Sequence, residues 1–335
     1  MKYDANVIKS TATPPRWQDL VKEYQTPDLT RSILQICNTF LPLVALYYAM
    51  YLSLSVSYWL TMLLAFPTAG LVTRLFIIQH DCGHGSFFKS ARANDLVGTL
   101  CGFVTLIPYY QWRHEHAIHH ATSGDLARRG VGDITTLTVA EYKALSPWGR
   151  FSYRIYRNSL VMLLIGPFVI FGLNSRLVGK HAGKRERNGV YLTNLAVVSV
   201  WVLLSYLIGI KAVVSIWLPT FMISGAAGVW LFYVQHQYEG TYWQRGGEWD
   251  YATAALMGSS YFKLPRVLQW FSGNIGFHHI HHLSPKIPNY KLEDCHKKTP
   301  LSQEVKVLTM RTSLRSAGLK LWDEDRQRMV RFNEV

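Results

Sequence analysis

Charge is scarce in this chain of 335 residues. Asp, Glu, Lys and Arg together make up 17%, against roughly 25% in an average soluble domain. Cysteine is scarce too: Cys37, Cys82, Cys101 and Cys295 are the only four, and their spacing matches neither a metal finger nor a secreted disulfide framework. The sequence also has no Gly-x-Gly-x-x-Gly turn opening a strand-helix unit, no Cys-x-x-Cys-His haem attachment and no cysteine run for an iron–sulfur cluster. Any redox chemistry would therefore draw its electrons from outside the chain. What is plentiful is aromatic and apolar: 15 Phe, 11 Trp and 19 Tyr argue against disorder.

The apolar residues are gathered into long charge-poor runs. A helix needs about 20 mostly apolar residues to cross a bilayer, and four segments qualify. Residues 32–52 and 57–79 are separated so briefly that they should form a hairpin, and 190–210 and 213–235 repeat the layout around Lys211 and Ala212. The first run starts well inside the chain, so a cleaved signal peptide is not expected. A fifth run, 159–174, is shorter and broken by Gly166 and Pro167. It is expected to lie in the interface or to dip in and return, because a fifth crossing would put the histidines before residue 121 and those after residue 235 on opposite sides. The stretch from Leu96 to Pro108 is too short to span and should lie along the surface.

The distribution of positive charge agrees with four crossings. Of the 35 Lys and Arg, only Arg74 and Lys211 fall within the two hairpins. The short basic stretch Arg176, Lys180, Lys184, Arg185 and Arg187 is the most informative, since short loops carry the positive-inside signal. The expected order is a cytoplasmic N-terminal segment (1–31), a first hairpin (32–79), a cytoplasmic portion (80–189), a second hairpin (190–235) and a cytoplasmic C-terminal portion (236–335), with both termini on one side. The net charge of +14 is thus one-sided. It suits anionic lipid and topology, while nucleic-acid binding would need a fold this layout does not offer.

Thirteen histidines follow these boundaries. His80 and His84 stand four apart at the end of the second run, so on a helix both rings project from one face. His116, His119 and His120 form a His-x-x-His-His pattern, as do His278, His281 and His282, and each trio falls within an arc of about 100°. His236 follows the fourth run. His114 falls about 160° from His116, on the opposite face, while His279 lies only about 60° from His282. Neutral imidazole suits zinc, copper, iron and nickel, so ligand type alone does not name the metal. Nine histidines do exceed one tetrahedral or octahedral ion, and fit two.

With these motifs in hand, the sequence resembles the membrane-bound fatty acid desaturases, especially the bacterial methyl-end (delta-12 or omega-3) group. The resemblance covers about residues 30–292. It rests on HDCGHGSFF (80–88), WRHEHAIHHATSGDLARRGVGDI (112–134), FYVQHQYEGTYW (232–243) and NIGFHHIHHLSPKIPNY (274–290). It implies an all-α integral membrane protein of a bacterial inner membrane, with four transmembrane helices in two hairpins and a cytoplasmic helical cap carrying a histidine-rich di-iron site. Two iron ions would be held by His80, His84, His116, His119, His120, His278, His281 and His282, with His236 as an additional ligand. The implied activity is O2-dependent insertion of a cis double bond into a membrane-associated acyl chain carried as acyl-lipid, acyl-CoA or acyl-carrier protein. A ferredoxin or cytochrome b5-like protein is the implied electron donor.

Outer groups should orient the ligand rings. Asp81, Glu115, Asp125, Asp133, Glu239 and Asn274 lie near the boxes and are candidates. Trp112, Trp230, Phe232, Tyr233 and Trp243 are candidates for lining an acyl tunnel. Rival readings fare less well. A zinc protease would need His-Glu-x-x-His, but Asp81 stands where its Glu would be. A multi-haem carrier would place histidines inside the spans. A hydroxylase, an acetylenase or a carotenoid-modifying enzyme of the same fold stays open, as does a non-enzymatic metal sensor or transporter.

Overall fold

The computed structural model describes residues 16–180, 182–302 and 305–335. The expectation of a cytoplasmic segment over residues 1–15 lies outside them. Four long helices carry the apolar runs. Helix α1 (Leu29–Ser53) starts at Asp28, whose carboxylate accepts from the Arg31 N–H at 3.0 Å, satisfying one of the free donors of a helix start. After a tight turn, tied by Ser53 and Thr61 hydroxyls 2.7 Å apart, α2 (Tyr58–His84) returns. It outlasts its apolar run, so the first histidine pair occupies its last turn. Gly85 stops the helix at φ +63°, a left-handed conformation that favours glycine.

Two shorter helices follow: α3 (Ala91–Thr105) and α4 (Tyr109–Thr122). The second hairpin is α5 (Lys184–Ile208) and α6 (Ile210–His236), hinged at the single residue Gly209 with φ +81°. Each long helix has 25 or 27 residues. At 1.5 Å per residue that is roughly 40 Å, enough for a hydrocarbon core of about 30 Å. All four are long and apolar enough to cross a membrane. They are not equivalent. In its most apolar stretch α2 is 56% buried and α6 39%, against 22% for α1 and 6% for α5, so the helices that end in histidines form the inner pair. Met50, Ala65 and Ile216 knit α1, α2 and α6 together, while α5 presents Leu195, Val198, Val202 and Tyr206 outward.

Between the hairpins, Pro147–Tyr156 is helical and the chain then bends by 62° into Val161–Arg176; the expected break at Gly166 and Pro167 is absent, since both have helical backbone angles and the bend comes before Val161. This limb packs on α6: a Cβ added at Gly225 would sit 2.6 Å from Pro167. Helix α3, expected along the surface, exposes Leu96 and Leu100 but buries Gly98, Cys101 and Gly102 against α2 and α4.

The remaining chain is compacted around the helix ends. Helix α7 (His278–Leu283) has all six residues buried, and α8 (Asn289–Lys298) follows it. The N-terminal stretch, which carries no readable motif, has a structural role: Val21 and Tyr24 pack with Phe277, Ile280, Leu283 and Leu292 beneath α7. Among the described residues, four short strands accompany the helices. Strand β1 (Tyr261–Lys263) pairs in parallel with β2 (Val307–Thr309), and β3 (Leu321–Asp323) pairs antiparallel with β4 (Arg328–Val330). Each has three residues, too few for a legible alternation.

The α3–α4 contact gives a test of packing. The Tyr109 ring would lie 2.3 Å from a Cβ at Gly98, and its hydroxyl donates to the Cys82 carbonyl at 2.9 Å. Gly98→Val should lower stability by about 1–3 kcal/mol through overpacking, despite valine's better helix propensity. A thermal-unfolding midpoint equal to that of the parent would refute this contact.

Candidate metal centre

Four separate elements deliver the histidines to one place. His80 and His84, one turn apart on α2, have ring centroids 4.7 Å from each other. His116, His119 and His120 come from α4, His236 is the last residue of α6, and His278, His281 and His282 come from α7. The rings form two groups. In one, a nitrogen from each of His80, His84, His116, His120 and His281 lies within 4.8 Å of all the others. His119, His236 and His282 make a second such group, and His278 joins its edge with Nε2 3.0 Å from that of His236. The groups touch where the rings of His120 and His282 stack at 4.1 Å.

The nitrogens within the groups lack ordinary partners. Nε2 of His84, His119 and His282 is buried with no hydrogen-bonding neighbour. For His119 the arrangement is visible: Asp133 accepts from its Nδ1, which turns Nε2 inward toward the other rings. His80 Nδ1 likewise lies 3.1 Å from the Asp81 carboxylate, and His236 Nδ1 donates to the Gly258 carbonyl at 3.2 Å. Burial, with neighbouring imidazoles adding to it, pushes His116, His120, His278, His281 and His282 well below the usual histidine range. Rings that converge on one another, three of them pinned at Nδ1 and five kept from protonating by burial, are a donor set for cations. No carboxylate enters either group.

The other candidates occupy different places. Asp125 is buried but accepts from the Ala127 N–H and from Arg128. Glu115 lies beside Gly179 and Gln111, and burial raises its pKa. Glu239 is exposed. Asn274, at φ +59°, donates to the Asn289 carbonyl and accepts from Gln269. The residue missed from sequence is Asn289: its backbone and side-chain N–H groups both donate to Asp81, at 2.6 and 2.8 Å, and so hold the carboxylate that holds His80. Its place in the motif ending at Tyr290 was the available signal.

Among the aromatic candidates, Trp112 stacks on His116 at 4.5 Å and Phe232 lies against His119 and His236. Phe232 and Trp243 border a space of about 10 Å³ beside Asp133 and His236, room for about one water. Tyr233 is buried elsewhere, donating to the Ser316 and Leu319 carbonyls, and Trp230 stacks on it. His114 is exposed on the outer face of α4. His279 turns away from α2 and α4 to pair with His296 at 3.0 Å.

An inner helix pair whose ends gather nine imidazoles defines a class: multi-span helical proteins with a polyhistidine centre able to hold metal. The chain belongs to the fatty acid desaturase family, whose model matches residues 22–311. It is 48% identical to a fatty acid desaturase of Bacillus subtilis (strain 168), over 94% of this chain and 90% of that protein. It is 30% identical to an endoplasmic-reticulum omega-3 fatty acid desaturase of Vigna radiata var. radiata, over 73% of this chain and 66% of that one. With a chloroplastic omega-6 fatty acid desaturase of Brassica napus the identity is 27%, over 71% and 54%.

The face each histidine presents predicts a contrast. His116→Ala should lose bound metal and activity, and His114→Ala should keep most of both. Asp133→Asn and Asn289→Ala, which loosen a ring without removing a ligand, should cost about 10- to 100-fold in metal affinity or activity. Metal content of folded, purified variants decides. Equal depletion in His114→Ala and His116→Ala would remove the helical-face assignment.

Proposed function

We propose that the nine histidines hold two iron ions: one within the group of His80, His84, His116, His120 and His281, the other within the group of His119, His236, His278 and His282. The carrying observation is the buried, partnerless Nε2 of His84, His119 and His282, which in neutral rings are lone pairs turned inward. Bound iron would supply the oxidising power, drawn from O2 and two external electrons, that removes two hydrogens from an unactivated methylene pair and releases water. The chain's part is to hold and exclude. Asp81, Asp133 and the Gly258 carbonyl fix ring tautomers, Asn289 fixes Asp81, and Trp112 and Phe232 cover the rings with apolar surface. The product is a cis double bond in a fatty acyl chain, and the omega-3 and omega-6 names of the plant relatives direct the search to its methyl half. The electrons would come from an acidic carrier of ferredoxin or cytochrome b5 type, attracted to the basic face.

The same reading places the centre and both termini in the cytoplasm. His116, His119 and His120 meet His236 in one cluster, which requires an even number of crossings between them. Helices α5 and α6 provide two, so the bent limb Val161–Arg176 would dip and return. Apart from Arg74 and Lys211, lysine and arginine fall in the segments that carry the histidines, as the positive-inside rule requires.

Two experiments test these readings. Purified protein should contain about two irons per chain and, with a reducing carrier, form double bonds only when O2 is present; zinc at one per chain with O2-independent activity would refute the iron assignment. In a Cys37→Ser background, single cysteines at Lys184 and Arg326 should label from the cytoplasm, and those at Val56 and Lys211 from the other side. Opposite labelling of positions 184 and 326 would contradict the topology.

A further inference from the structure

A second concavity lies away from the histidines. It has a volume of about 360 Å³ and is lined by residues between 306 and 334 together with Tyr238 and Glu239, a size typical of sites that receive small molecules. Its charge is uneven. Lys306, Arg315, Arg328 and Arg331 border it, against Glu239 and Glu334. Arg328 pairs with Glu334 at 3.1 Å. Among the described residues, no carboxylate lies within ion-pair distance of the Lys306, Arg315 or Arg331 side chains, although Glu334 also accepts from the Arg331 backbone N–H at 2.9 Å. Arg331 is also held over Gly318, where an added Cβ would lie 3.1 Å from its Nε. Cations gathered around one concavity repel each other unless an anion joins them.

The rest of the lining is mixed: Val307, Leu308, Leu319 and Met329 are apolar, while Thr312, Ser316 and Tyr238 add hydroxyls. Beyond it, Val307, Met310 and Leu314 are 48%, 46% and 66% exposed, which is unusual for a water-facing surface but ordinary for one facing lipid. The neighbouring contacts place it beside the last turns of α6. Leu308 packs with Val229, Tyr233 and Val234 near the end of α6, and the Tyr233 hydroxyl donates to the Ser316 carbonyl at 3.0 Å. The Ser159 hydroxyl, at the start of the bent limb, donates to the Ala317 carbonyl. Basic side chains next to exposed aliphatic ones, beside the end of a membrane helix, suit the two halves of a phospholipid, an anionic phosphate and apolar acyl chains.

We infer that this concavity binds the headgroup phosphate of an anionic glycerophospholipid, with Arg315, Arg331 and Lys306 facing the phosphate and Val307, Met310 and Leu314 against the acyl chains. The inference rests on the membrane placement proposed above and not on the histidine centre, and the cysteine labelling tests that placement separately.

The test is lipid binding to the full chain in detergent, measured by native mass spectrometry with phosphatidylglycerol, diacylglycerol and inorganic phosphate as probes. Phosphatidylglycerol should bind and diacylglycerol should not. The double variant Arg315→Gln/Arg331→Gln should bind phosphatidylglycerol at least about tenfold more weakly, since each basic residue near a lipid surface contributes measurably to anion attraction. Arg150→Gln, exposed elsewhere, should bind as the parent does. The parent alone provides a second arm: its binding should weaken as salt rises, because exposed charges are screened. Equal binding by parent and double variant, or equal binding of diacylglycerol, would overturn the site. Full displacement of phosphatidylglycerol by inorganic phosphate at equal concentration would show a site for free phosphate and would also overturn it.

Discussion

Everything in this protein is arranged around an unfavourable contact. Imidazoles from four elements are packed so that ring nitrogens converge on one another, and a buried polar group left without a partner costs on the order of 1–3 kcal/mol. His119 shows it plainly, with Nδ1 held by Asp133 and Nε2 facing other rings. Such an arrangement persists only if surrounding structure enforces it or a cation relieves it. The membrane helices do the first: α2 and α6 are the two most buried spans, and each ends in histidine where the other boxes meet it.

Rigidity is therefore concentrated behind the rings. Asn289 gives two N–H groups to Asp81 and also accepts from Gln35 on α1 at 3.1 Å, so one side chain links the first span, the first histidine pair and the segment after α7. Arg74, the one arginine within the first hairpin, donates to Thr39 on α1 and lies 4.1 Å over the Trp270 ring, fastening the approach to α7 onto α2. A polar residue inside a membrane helix is expensive and finds internal partners, and these partners lead toward the centre.

Much of this was legible in the sequence, because the signals were periodic or long. Apolar runs marked the four helices, and the His-x-x-His-His spacing marked which rings share a face. The helix ends were less legible: α2 continues through His84 and α5 begins at Lys184, since polar residues beyond an apolar run can still be helical when tertiary contacts favour it. Proximity in sequence was a poor guide to the outer groups. Asp81 and Asp133 reach rings, whereas Glu115, Asp125 and Glu239, equally near the boxes, point elsewhere. Asn289 and the buried Val21 and Tyr24 depend on long-range packing, which no local pattern carries.

The central claim is that the five-histidine group and its neighbour each hold one cation. Anomalous diffraction at the iron edge from crystals of the purified protein tests it most directly. Two peaks should appear, one enclosed by His80, His84, His116, His120 and His281, the other by His119, His236, His278 and His282. A single peak, or a peak bound by residues outside these two groups, would contradict the account.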